Sequence, residues 1–162
     1  ALGGPGYGLK TNVVTNRVYV GTGIINSVTV VDGTTNEGLA LVPVGKAPDA
    51  IGVNPRTNRI FAANYFSDTV SVIDGMTHDV LATVQVGKEP IGVAVNPTTN
   101  RVFIGNYAGN TVSVLDGVTN SVVATLAVGI TSDGISVNPV TNRVYAVNSN
   151  TNYVTLIQDV PR

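Results

Sequence analysis

Two carboxylates, Asp49 and Asp133, occur at the same phase of this chain, each four residues after the glycine of a Val-Gly pair, with Tyr7 and Ile91 at the equivalent places. If they faced each other across a ring they would offer Ca²⁺ two carboxylates, a thin set against the 6–8 oxygens that ion takes. They are weak metal candidates. A second group, Tyr65, Phe66, Asp68, Tyr107, Asn110 and Asn152, sets aromatic rings beside amides and a carboxylate. Rings that stack and amides that donate and accept can hold a sugar, a peptide or another small ligand. These six are the ligand-binding candidates, and each also reads as an ordinary turn residue. Asp32, Asp74 and Asp116 recur in Asp-Gly pairs, where a carboxylate closes a turn by accepting backbone N–H bonds. The chain has one histidine, His78, and no cysteine. That excludes disulfides, thiolate chemistry and multi-histidine metal centres. No nucleophile–base pair or glycosidase-like carboxylate pair can be assembled, so no catalytic residue is assigned, no enzymatic activity is expected, and no cofactor is implied.

Composition narrows the partners. Of 162 residues 43% are apolar and only 12% charged, with a net charge of −1. The basic footprint that nucleic acids require is missing. No apolar run reaches the ~18 residues that span a bilayer, and no secretion signal opens the chain, so no membrane insertion is expected. A processed product and an excised piece both fit.

Internal repetition is the strongest signal. Thr-Asn-Arg begins at Thr15, Thr57, Thr99 and Thr141, a period of 42; Asp-Gly begins at Asp32, Asp74 and Asp116, and Val-Gly at Val44, Val86 and Val128, with the same spacing. Such a period suits a four-stranded propeller blade or a helical pair. The interior of the second repeat decides between them. It holds four β-rich runs, Ile51–Val53, Arg59–Ala63, Thr69–Ile73 and Val80–Val86, separated by turn residues. Val70 and Val72 alternate with Ser71, as Val112 and Val114 do with Ser113, and no 3.6-residue stripe passes through so many Gly, Pro and Asn. Each repeat is therefore read as an antiparallel four-stranded meander. Pro43 in the fourth run of the first repeat places that strand on the outer edge, where a missing N–H is tolerated. A single such sheet cannot bury both faces, so repeats must stack, as blades do around a channel. The expected fold is an all-β propeller in one domain of four blades, approximately 4–45, 46–87, 88–129 and 130–162, the last lacking its outer strand. In a blade, the connections from strand two to three and from strand four to the next strand one share a face of the disc, which is where the ligand candidates fall.

The second strands, Arg17-Val-Tyr-Val-Gly-Thr22, Arg59-Ile-Phe-Ala-Ala-Asn64, Arg101-Val-Phe-Ile-Gly-Asn106 and Arg143-Val-Tyr-Ala-Val-Asn148, together with the Asn-Pro and Asp-Gly markers, resemble the YVTN-type β-propeller repeat family. That resemblance implies an extracellular or cell-surface setting like that of surface-layer proteins. Some related propellers are lactone hydrolases or streptogramin lyases, and a fragment of one is a further alternative. The chain is six residues short of four full repeats. Closure is not provided for within it, leaving a piece of a longer propeller, an association of copies, or a self-closed ring. The expected function is a non-catalytic scaffold for protein–protein contact or self-assembly, the alternative a carbohydrate- or small-ligand-binding module. Its expected partners are other copies or the remainder of a longer propeller chain, and a protein or glycan at the cell surface.

Overall fold

β-Branched and aromatic residues alternating with small polar ones fit a pleated surface with two packed faces, and Gly, Asn, Asp and Pro end each run. The computed structural model describes residues 4–129, 134–148 and 152–160. Blade 1 comprises β1 (Gly6–Asn12), β2 (Arg17–Thr22), β3 (Ser27–Asp32) and β4 (Gly38–Pro43). Blade 2 comprises β5 (Pro48–Asn54), β6 (Arg59–Asn64), β7 (Thr69–Asp74) and β8 (Val80–Gln85). Blade 3 comprises β9 (Pro90–Asn96), β10 (Arg101–Asn106), β11 (Thr111–Asp116) and β12 (Ser121–Ala127). Blade 4 has, among the described residues, β13 (Ile135–Asn138), β14 (Arg143–Val147) and β15 (Val154–Gln158).

Within each blade the strands pair antiparallel in sequence order, so β4, β8 and β12 are outer edges, and Pro43 sits on one. The sequence expectation holds here, including a three-stranded last sheet. The first strand of each of the two central blades is longer than its apolar run suggests. β5 begins at Pro48, opposite Asn64, and Asp49 is the extra residue of a bulge between Pro48 and Ala50. The hairpins after the first strands turn through Asn16, Asn58, Asn100 and Asn142, all with φ between 51 and 53°. Asparagine tolerates that left-handed conformation better than most residues.

The core lies between blades as three layers. Tyr19, Val28 and Val30 of blade 1 pack on Ile51, Val53, Ile60, Ala62 and Ile73 of blade 2. Phe61, Ala63, Val70 and Val72 then meet Val102, Ile104 and Leu115 of blade 3. Phe103, Val112 and Val114 in turn meet Val144 and Ala146 of blade 4. Amides stitch the same junctions: Asn12 Nδ2 donates to Asn58 Oδ1 at 2.9 Å, Asn54 to Asn100 at 2.7 Å and Asn96 to Asn142 at 3.0 Å. The inner strands pack in order, β1 on β5, β5 on β9 and β9 on β13. They approach closely: a Cβ at Gly8 would lie 2.2 Å from the carbonyl oxygen of Asp49.

The arc is open. Stepping 42 residues from Phe61, Ala63, Val70 and Val72 gives Phe103, Gly105, Val112 and Val114, and stepping again gives Tyr145, Val147, Val154 and Leu156. In blade 2 these positions are fully buried, whereas in blade 4 the four side chains are 39, 45, 56 and 53% exposed.

Candidate functional site

The ligand candidates lie where connections between strands two and three meet those between blades. Residues Tyr65–Ser67 form a 3-10 turn after β6, and Asp68 ends it with φ 54°. Ala47 O accepts from Tyr65 N at 2.9 Å, Lys46 O from Phe66 N at 3.2 Å, and Glu89 O from Tyr107 N at 2.9 Å. Both tyrosines are thus pinned through their backbones by the preceding inter-blade connection. Asp68 has a defined structural bond: its Oδ1 accepts from Glu89 N at 2.8 Å, as Asn26 Oδ1 accepts from Ala47 N at 3.0 Å one blade earlier. Asn110 holds the same left-handed position in blade 3, and its carbonyl accepts from Val128 N. Tyr107 is exposed, and Asn152 is exposed ahead of β15. Asp133 lies outside the described residues. Among the described residues no three His, Asp or Glu side chains gather to hold a metal.

Of these candidates Tyr65 and Phe66 line a common cleft among the described residues, and three other residues join them. Tyr7 of β1, Ala47 and Asp49 of β5 complete a concavity of about 230 Å³ at the junction of blades 1 and 2. Tyr65 and Phe66 meet edge to face, centroids 4.8 Å apart and planes at 74°. The Tyr65 hydroxyl donates to Glu89 Oε2 at 2.9 Å, and that bond, with burial and the neighbouring negative charges, pushes the phenol above its ordinary pKa. Asp49 is half-buried, and desolvation pushes its carboxyl above the usual carboxylate value. It has no hydrogen-bonding or cationic partner among the described residues. The signal for this pairing was the shared phase of Tyr7 and Asp49, which puts them at the same height on adjacent inner strands.

The opposite face is structural. Arg17 Nη1 donates to Gly75 O of the next blade at 2.7 Å and lies 3.2 Å from His78 Nε2, while Arg59 pairs with Asp74 across its own sheet. Burial first, then the Arg17 charge, lowers the His78 pKa. Asp74 Oδ1 accepts from Met76 N and Thr77 N, and these bonds, with Arg59, hold its carboxyl below the ordinary value. A depressed folded pKa adds stability above the unfolded value of ~3.9 that disappears as pH falls through the folded one. The stability difference between the wild type and Asp74→Ala is therefore expected to be present at neutral pH and to shrink on acidification, as read from urea midpoints. A difference independent of pH would show that the carboxylate charge is not what closes this turn.

At the hub, Lys10 and the inner faces of β5, β9 and β13 line a concavity of about 160 Å³. No curated protein sequence matches the chain. Its fold is similar to that of the hydrazine synthase of Kuenenia stuttgartiensis, with a TM-score of 0.87 and 20% identity over 94% of this chain and 46% of that one. It is also similar to a functionally unknown protein from Desulfotomaculum acetoxidans DSM 771, with a TM-score of 0.81 and 16% identity over 93% and 50% of the two chains. These neighbours are propellers, and the chain spans about half the length of each. The family model described as the cytochrome D1 heme domain matches residues 16–162, and the chain belongs to that family.

Proposed function

We propose that this chain is a non-catalytic β-propeller scaffold that works by joining its open blade faces to further blades, those of a second copy among them. The observation that carries the reading is the blade 4 face bearing Tyr145, Val147, Val154 and Leu156, apolar at every position that the preceding blades bury against a neighbour. The amide stitching supports it: Asn138 occupies the donor position of Asn12, Asn54 and Asn96, and Asn16 of blade 1 occupies the acceptor position of Asn58, Asn100 and Asn142. A head-to-tail contact between copies would pair them. A cell-surface setting rests on the resemblance of the repeats to the YVTN type.

The family description names a heme, and the residues of this chain do not fit one. Heme iron takes His, Cys, Met or Tyr as a protein ligand. The chain has no cysteine, and His78 and Met76 both lie in the hairpin between β7 and β8. The Arg17 guanidinium can only donate, so His78 Nε2 accepts from it and its lone pair is engaged. Met76 is exposed at the rim, and the residues lining the hub concavity include none of the four ligand types. Tyr7 and Tyr65 line a cleft of about 230 Å³, where the Tyr65 hydroxyl is bound to Glu89, and both concavities are smaller than the ~300–1,000 Å³ that a ligand of drug or cofactor size occupies.

Light scattering coupled to gel filtration tests the scaffold reading. The full chain is expected to run as a dimer or larger species at protein concentrations of ~1–100 µM, and Leu156→Asp, on an exposed position, is expected to return it to the mass of one chain. A single-chain mass throughout that range would overturn self-association.

A further inference from the structure

The cleft at the junction of blades 1 and 2 is independent of the association faces. We propose that it binds a small organic cation of the alkylammonium class, held by the rings of Tyr7, Tyr65 and Phe66 and the carboxylate of Asp49. Aromatic faces attract cations through the ring quadrupole, and a cage needs rings set at angles to one another. Tyr65 and Phe66, nearly perpendicular, make two walls of a corner, and Tyr7 adds a third ring from the adjacent blade. The charged side chains that act on Tyr65 are acidic, Glu89 and Asp49, while Lys46 lies outside the lining on the connection ahead of Ala47. Asp49 lies in the cleft with no cation to answer it among the described residues, and Glu89 holds the Tyr65 hydroxyl, adding negative potential behind that ring. Among the described residues no Lys or Arg lines the cleft. Burial already disfavours the bare Asp49 carboxylate, so a bound cation would relieve it.

Neutral sugars fit less well. Their hydroxyls need donors and acceptors in mixture, and the lining side chains supply an acceptor-only carboxylate, a Tyr65 phenol whose proton is committed to Glu89, and the single hydroxyl of Tyr7. The volume of about 230 Å³ suits a head group rather than an extended ligand.

Titration calorimetry of the full chain against tetramethylammonium chloride at constant ionic strength tests the site, with neopentyl alcohol as a neutral molecule of similar shape and methyl glucoside as the sugar. Tetramethylammonium is expected to bind with a Kd on the order of 1 mM, and neopentyl alcohol at least about tenfold more weakly. Asp49→Asn, close to isosteric, and Phe66→Ala, at an exposed position, are each expected to weaken the cation by about fivefold or more, with unchanged circular dichroism. Equal binding of cation and neutral probe, preference for the glucoside, absence of binding up to ~50 mM, or an Asp49→Asn variant that binds undiminished would each overturn the proposal. Since none of these readouts depends on self-association, failure here leaves the scaffold reading standing, and the converse holds.

Discussion

Phe61→Ala is expected to lower the unfolding free energy by about 3–5 kcal/mol, a large part of the 5–15 kcal/mol typical of a domain. The ring is fully buried in the layer between blades 2 and 3, against Val102, Ile104 and Leu115. Its loss removes apolar burial and leaves a cavity that two flat sheets cannot easily collapse into. Tyr145→Ala, at the equivalent position of blade 4, removes a ring that is 39% exposed and is expected to cost much less. The pair of urea midpoints, measured at a protein concentration where the chain is monomeric, separates burial by a neighbouring blade from residue type. Similar losses at both positions would contradict the layer structure.

Asp159→Ala is expected to cost a comparable amount, about 3–5 kcal/mol, by leaving charge and donors without their acceptor. The Asp159 carboxylate is buried and accepts from Asn96 Nδ2 at 2.7 Å, Arg101 Nη1 at 2.7 Å and the Thr99 hydroxyl. All three donors belong to blade 3, so one side chain ties the end of blade 4 to its neighbour. The Arg101 guanidinium is itself only 18% exposed and cannot shed its charge. Arg101→Met combined with Asp159→Ala is therefore expected to recover part of the loss, because no uncompensated ion then remains. Calorimetric unfolding of the single and double variants checks this; a single variant within ~1 kcal/mol of wild type would mean the pair is solvated rather than buried.

Much of the fold was legible because the chain repeats its instructions. Alternation at Val70, Ser71 and Val72 identifies a third strand, the Thr-Asn-Arg turns fix where each second strand begins, and Pro43 marks an edge. Less of the site was legible. Asp68 is a ligand candidate whose carboxylate also clamps the amide of Glu89 in the next connection, a bond that depends on how adjacent blades pack. Tyr7 and Asp49 shared a phase in the sequence, but their meeting with Tyr65 and Phe66 depends on the 3-10 turn after β6, which no local pattern announced. In the last repeat Gln158-Asp159 stand where the earlier repeats have Asp-Gly, and nothing local marks Asp159 as an ion-pair partner. Its partner, Arg101, lies 58 residues earlier and one blade away.

The layered packing also governs how stability is distributed. Since a blade interacts chiefly with the sheets before and after it, the array behaves as a one-dimensional Ising chain, with an intrinsic term per unit and a coupling term per junction. An interior unit has two couplings and a terminal one has a single coupling, so opening propagates inward from blades 1 and 4 while the blade 2–3 junction is the last to part. Joining two arcs into a ring leaves no terminal unit, and the boundary at which unfolding nucleates disappears.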